Sequence, residues 1–407
     1  MRSFAFFTCS YSVYFCIGLT TALFSSICWA GTTPLRIPTA LPGPVYDLTL
    51  QWGESDFLEG SPTRTAGYNG SILGPTLIMH RGTQVTLNVE NKLGEETTTH
   101  WHGMHVGPKN DGGPFTVIEP DATWSPSFEV LDAAATMWYH PHIHENTHRQ
   151  VDLGLVGMIL VRDEVEVAGG LPTRYGINEF PIIIQDKTFD DNNQLEQSSF
   201  GRVLMVNATI DPYLEVPAEI VRLRVLNGSN ERGYYLGLTG GLLLHVVGTD
   251  GGLLDAPEAI DRIMISPGER LDLLVDLSDR SGSTLSLMSF AGDLVLENEA
   301  LTVSPSEDLP LDRVNFELLE LRVGDPTENA IQSIPEAIWT NQRPDENEAN
   351  HRRTIRLTQD ADPDAHFTLD GRTYDDHRID QIVTLRATEI WTERCSISGE
   401  FLRAQRG

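Results

Sequence analysis

The sequence predicts an all-β protein, a tandem series of sandwich-sized β-units with two complete and a third partial. Three observations carry this expectation. The 407 residues include 35 Gly and 23 Pro, and these turn formers punctuate short runs in which apolar and polar residues alternate with the period of a half-buried strand. One order of events, a turn, a proline and then an alternating strand, occurs three times along the chain. The length suits two to three domains of ordinary size, each able to bury a core.

The first unit is read over residues 35–165. Val45 to Leu50 alternates, Tyr68-Asn69-Gly70 makes a turn, and Gly74 to Met79 leads through Arg81-Gly82 into Val85-Thr86-Leu87-Asn88-Val89, whose period of two marks a half-buried strand. The chemistry follows directly. His100-Trp101-His102 and His140-Pro141-His142, with His105 and His144 beside them, place half of the 12 histidines between positions 100 and 144. Residues two apart share one face of a strand, so His100 and His102 stand roughly 6.5–7 Å apart on one side. That gap is wide for one metal ion and natural for two. Two such strands side by side would aim four imidazoles into one space, and imidazole suits copper, zinc, iron or nickel. A polynuclear metal site shared by two strands is therefore expected, with His100, His102, His140 and His142 as its ligands. Between the pairs, Asn110-Asp111-Gly112-Gly113-Pro114 must be a tight loop. His80, His245, His351, His366 and His377 stand alone and are read as structural.

The second unit, residues 175–323, repeats the order: Val206 to Pro217 leads into Ile220-Val221-Arg222-Leu223-Arg224-Val225-Leu226-Asn227. Its later strands, Leu242 to Val247 and Arg270 to Val275, carry no histidine pair, and the unit is read as structural. Residues 324–350, rich in Pro, Asn and Glu, read as a linker. A partial third unit over residues 351–407 supplies Phe367 to Tyr374 and Ile382 to Trp391 as the matching turn and strand, then an atypical tail with three Arg in its last fourteen residues. The tail is expected to be out of frame or spliced, and an unfinished sheet of this kind invites aggregation or a complementing chain.

A net charge of −29 repels nucleic acid and anionic membrane surfaces, so neither is an expected partner. The first 30 residues are a separate matter: after Arg2 no charged residue occurs until Arg36, and Cys28-Trp29-Ala30 offers a small residue before a cut. They read as an export signal, with an uncleaved anchor as the alternative, so the protein is expected to be periplasmic or extracellular. Cys9, Cys16 and Cys28 leave with that signal. Only Cys395 remains, which allows no internal disulfide.

Thr99-His100-Trp101-His102-Gly103, Asp111-Gly112-Gly113-Pro114 and Met137-Trp138-Tyr139-His140-Pro141-His142, with Arg149-Gln150-Val151 and Gly154-Leu155-Val156-Gly157, resemble the first domain of the multicopper oxidases. That family includes laccases, bilirubin oxidases and bacterial periplasmic copper-resistance oxidases, the last being the nearest likeness, and the resemblance runs from about Leu35 to Trp391. It implies that the units are cupredoxin-like Greek-key β-barrels or sandwiches and that copper is the cofactor. In the family, a type 1 copper takes single electrons from a phenolic or metal-ion reductant, and a trinuclear type 2/type 3 cluster reduces dioxygen to water. Motif for motif, His100 would ligate the type 2 copper, His102, His140 and His142 would serve the type 3 pair, and Asp111 would relay protons as the catalytic residue. Read from its own surroundings in the sequence, Asp111 is equally a turn-forming residue before two glycines. The chain departs from the pattern in two ways. It has no His-Cys-His segment, so the type 1 site and half of the cluster ligands are missing, and no Met occurs after Met288. Three functions remain in view: a truncated, impaired copper oxidase, an exported copper-sequestering protein, and a cupredoxin scaffold.

Overall fold

The computed structural model describes residues 31–297, 310–359, 367–373, 375 and 377–397. The expected export signal and the end of the tail lie outside them. In the first unit, alternation lays down two facing sheets. One is built from Thr63–Tyr68, Val45–Ser55, Gln84–Asn91 and Thr123–Trp124, with Ser127–Glu129 also paired to Gln84–Asn91. The other runs in the order Ala40–Pro42, Thr76–His80, Gly157–Arg162, Ala135–His140, His100–His102. Gln84–Asn91 shows the half-buried alternation that its sequence predicts. Leu48, Leu50, Leu87, Val89, Trp101, Tyr139 and Ile159 fill the core between the sheets.

The second unit packs a six-stranded sheet on a seven-stranded one, around Leu223, Val225, Leu236, Leu273, Leu287 and Leu319. Thr33–Pro34, ahead of the first unit, pairs in parallel with Pro212–Val216 of the second, so the chain's described start belongs to the later sheet.

The two units share a buried boundary, because several strands at it are covered on both faces. All six residues of Ala135–His140 are buried: Ala135, Met137 and Tyr139 enter the first core, while Trp138 joins Met158, Leu160, Ile183 and Leu226 in a cluster that spans both units. Ile220–Asn227 is likewise fully buried, and its two arginines turn toward the first unit rather than toward water. Arg222 and Arg224 meet Glu166, Glu179 and Asp272, Arg162 closes on Glu166 and Glu179, and Thr136 donates to Asp272. Three guanidiniums thus face three carboxylates in a charge-balanced cluster whose members are almost wholly withdrawn from solvent.

Residues 324–350, read as a linker, form no sheet and are strapped to the second unit. Ile331, Ile334, Ile338 and Trp339 pack against Leu253 and Leu274, and Asn341 Nδ2 donates to Asp255 Oδ1 at 2.6 Å. The third unit is a small sheet of Phe367–Leu369, His351–Gln359 and Glu389–Ile397. The strand expected from Ile382 begins only at Glu389. Ile382 and Leu385 are 78% and 89% exposed, since no facing sheet is present among the described residues to bury an alternating run there. No helix among the described residues is long and apolar enough to cross a membrane.

The ion cluster ties stability to pH. Burial alone would raise the Glu179 carboxyl, but the Arg224, Arg162 and Arg222 charges outweigh it and hold it at about 2, against an ordinary value of 4.5. A carboxyl depressed on folding contributes stability that is fully present above about pH 4.5 and is lost as pH falls toward 2. Glu179→Gln should therefore lower the unfolding free energy at neutral pH by about 3–5 kcal/mol, the cost of leaving buried charge uncompensated. It should also flatten the acid limb of a urea-unfolding series. An unchanged midpoint and an unchanged acid limb would refute the assignment.

Candidate metal centre

His100–His102 is the edge strand of its sheet and runs antiparallel to Ala135–His140, with His102 opposite Trp138, Trp101 opposite Tyr139 and His100 opposite His140. Alternation sends Trp101 into the first core, 6.1 Å from Tyr139 and stacked on Trp124, and leaves both histidines on the face toward the second unit. His142 follows the strand end. Its backbone N–H donates to Thr98 Oγ1 at 2.5 Å, which brings its ring 5.2 Å from that of His100.

The four predicted histidines form one group. Ring centroids lie 5.7 Å apart for His100 and His102, 5.6 Å for His100 and His140, 5.4 Å for His102 and His140, and 5.9 Å for His140 and His142. Backbone carbonyls orient two of them. His100 Nδ1 donates to the Asp111 carbonyl at 3.0 Å and His140 Nδ1 to the Pro141 carbonyl at 2.7 Å, which leaves the Nε2 of each ring as an acceptor. His140 Nε2 lies 3.2 Å from His102 Nδ1. Two imidazole nitrogens bound at about 2.0–2.1 Å to one tetrahedral ion stand roughly 3.3 Å apart, so this pair already has the spacing of co-ligands. Among the described residues no three His, Cys, Asp or Glu groups converge on a single ion position.

Electrostatics favour the neutral imidazoles that metals require. Burial pushes His140 well below the ordinary histidine value, with His102 and His100 adding to it. Burial and the Arg270 charge bring His102 to about 3. His100 is lowered by burial despite the opposing pull of Asp111. Trp138 stacks on His140 with centroids 4.0 Å apart and packs 4.8 Å from His102, fixing both ring planes.

Asp111 sits where its loop predicts. Its carbonyl accepts from His100, and its Oδ2 lies 3.4 Å from His100 Nδ1. Gly112 holds φ +74, and a Cβ there would overlap the Thr99 carbonyl, so the glycine is what lets this loop close on the strand. Behind it, buried Gln150 accepts from Thr97 Oγ1 at 2.7 Å and donates to the Glu96 carbonyl at 3.0 Å, fixing the segment that enters His100. His105 is not part of the group: its Nδ1 donates to Asp132 Oδ1 at 2.5 Å and its side chain is largely exposed.

Sequence reasoning missed the second unit's share. Arg270 donates through Nε to the Thr136 carbonyl at 3.2 Å and pairs with Asp250 at 3.0 Å. Its Nη2 lies 3.6 Å from Met137 Sδ, and Gly103 leaves room for it at φ +94. The available signal was a basic residue opening the strand Arg270–Asp276, and only the packing of the two units gives that residue a target.

Comparisons with known proteins agree with this geometry. Family models described as multicopper oxidase match residues 49–166 and 138–284. The chain is 32% identical over 352 residues to the multicopper oxidase mco of Staphylococcus epidermidis, covering 85% of this chain and 69% of that protein. Against the Staphylococcus haemolyticus mco it is 37% identical over 284 residues and spans 63% of the relative. It is also 31% identical over 398 residues to the cell division protein FtsP of Escherichia coli, covering 90% of this chain and 84% of that protein. Among solved structures, a bacterial laccase-like multicopper oxidase, CueO from Ochrobactrum sp., superposes with a TM-score of 0.78 at 31% identity, covering 89% of this chain and 83% of the other. A laccase from Pediococcus acidilactici gives 0.75 at 33%, covering 90% and 77%. With its histidine-bearing strands inside the matched region and most of its length shared with these proteins, the chain belongs to the multicopper oxidase family, a family of copper-dependent oxidoreductases.

Proposed function

We propose that His100, His102, His140 and His142 are copper ligands and that the chain carries the first unit's half of an oxygen-reducing trinuclear cluster, His100 serving the type 2 copper and the other three the type 3 pair. The observation that carries this reading is the register that sets His100 opposite His140 and gathers four imidazoles on one face. Copper held there would supply one-electron redox chemistry toward dioxygen, with electrons that in the family come from a phenolic or metal-ion donor.

The chain's own residues prepare the site. The Asp111 and Pro141 carbonyls orient the rings, Trp138 and the covering second unit keep water from two of them, and the Asp111 carboxyl can hold a proton at Oδ2 beside His100. Asp111 is partly open to solvent, which lets that proton exchange. The sequence has no His-Cys-His segment, so ligands for a type 1 copper are not among its residues. Alone, the chain binds copper without sustained turnover. An exported location, reached through the apolar first 30 residues, fits copper loading outside the cytoplasm.

Similarity to a cell division protein over 90% of the chain favours a second reading, a scaffold that works through its surface. A role by shape alone would not need four converging imidazoles. Purified chain loaded with copper, assayed for metal content and for oxygen uptake with a phenolic donor and with cuprous ion, separates the readings. The expected result is copper bound and lost in His102→Ala and His140→Ala, with no sustained uptake. Uptake would refute the claim of impaired turnover, and copper content indifferent to the histidines would leave the scaffold.

The loop supplies a second prediction. Gly112→Ala drives a methyl group into the Thr99 carbonyl and so moves the Asp111 carbonyl off His100. Loss of such a supporting contact typically costs about 10- to 100-fold in metal affinity. Copper affinity of Gly112→Ala should fall by at least about tenfold in a competition titration, and an unaltered affinity would show that the loop does not orient His100.

A further inference from the structure

We propose that the Glu320 carboxylate is a docking site for a primary amine, the α-amino group that removal of the first 30 residues frees on Gly31. The site rests on the reading of those residues as an export signal. Cys28 and Ala30 put small side chains at the third and first positions before the Ala30–Gly31 bond, the pattern after which a leader is cut. The residue behind that bond is built into the second unit. Gly31 is buried, its backbone nitrogen donates to Glu320 Oε2 at 3.2 Å, and its carbonyl accepts from Arg322 Nη2 at 2.7 Å. Arg322 Nε in turn donates to Glu320 Oε1 at 2.6 Å, and its guanidinium lies 3.5 Å over the Tyr213 ring. One oxygen of a carboxylate that is 6% exposed is thus fixed by Arg322, and the other is turned toward the nitrogen of Gly31. A side chain at position 31 would collide with backbone, since a Cβ there stands 2.7 Å from the Pro212 carbonyl oxygen. The next two N–H groups, of Thr32 and Thr33, both donate to the Asp211 carbonyl.

With Ala30 attached, the Gly31 nitrogen is a peptide amide with one proton. Hydrolysis adds water across the Ala30–Gly31 bond, leaving a carboxylate on Ala30 and on Gly31 an amine that is protonated below about pH 7.7–8.0. An ammonium facing a carboxylate withdrawn from water makes a charge-assisted bond, whose ordinary length is about 2.7–2.9 Å. The freed terminus therefore draws closer to Glu320 than the amide does. Arg322 is the other cation at the site, and the exposed Glu215, beside it in the neighbouring strand, offsets the added charge. Thr33–Pro34 is an edge strand held through two paired residues, and ends of this kind fray unless something ties them down. Cutting the leader thus tightens the contact that closes the edge of the second unit's sheet.

The test compares the chain exported with its own first 30 residues with a form carrying two serines inserted after Ala30, in which the same cut leaves the Gly31 nitrogen in a peptide bond. Intact mass should place the terminus of the first at Gly31. In urea unfolding the insertion should lower the folding equilibrium constant about tenfold, the effect of losing a hydrogen bond between charged groups. In the Glu320→Gln background, and in Glu320→Asp, whose shorter side chain withdraws the carboxylate, the same insertion should cost less than about twofold. Recovery of the uncut chain would overturn the export reading and the docking site with it. A terminus other than Gly31, or an equal cost of the insertion in all backgrounds, would overturn the docking site alone.

Discussion

The candidate site depends on one constraint, that the Ala135–His140 strand has no solvent face. Its odd residues build the first core and its even residues, Thr136, Trp138 and His140, press against the second unit. A one-residue slip would exchange these sets, putting Tyr139 into the metal cluster and His140 into the core. Both faces are packed, so such a slip would be penalised twice. The register that aligns His140 with His100 is therefore held by apolar contacts on one side and by Trp138 and Thr136 on the other. Tyr139 reinforces it, reaching through the sheet to donate to the Pro75 carbonyl at 2.8 Å.

The boundary between the units is unusual in what it buries. An apolar seam alone would bind the units, but the Arg162, Arg222, Arg224, Glu166, Glu179 and Asp272 cluster adds little net stability once desolvation is counted. What it adds is selectivity of placement. Thr136 donates to Asp272 while Arg224 Nη1 lies within 3.2 Å of the Thr136 hydroxyl, so any displacement of the Ala135–His140 strand strands a buried charge. Arg270 extends the same logic to the histidine group, tying the Thr136 carbonyl to the second unit beside His102. The unit without histidine pairs thus fixes the strand that presents them.

Much of this was legible in the sequence where side-chain period and chemistry point the same way. The alternation of Gln84–Asn91, the tight loop at Gly112 and the gathering of the two histidine pairs follow from local rules. Reading failed where partners are distant. Arg222 and Arg224 occupy alternate positions of a strand and are fully buried, and nothing local in the sequence names the carboxylates they meet. The residues 324–350 carry linker composition but include Ile331, Ile334, Ile338 and Trp339, which find a groove on the second unit. Ile382 to Leu385 alternates like a strand and remains irregular and exposed, because pattern becomes a strand only where a neighbour accepts its hydrogen bonds and covers its apolar side.

The contact between His102 Nδ1 and His140 Nε2 shows how the site can exist with and without metal. With the Pro141 carbonyl taking the proton at His140 Nδ1, His140 Nε2 must be an acceptor, so His102 Nδ1 carries the proton and the 3.2 Å contact is a hydrogen bond. A metal ion held between the two nitrogens would need a lone pair on each, which His102 would offer by carrying its proton at Nε2, a tautomer that leaves the ring neutral. A cluster of charged imidazolium groups could not do this, since repulsion at these centroid distances would push the strands apart. Burial of His140 and His102 by Trp138 and the second unit keeps them neutral, so the packing of the two units and the readiness of the histidines for metal have a common cause.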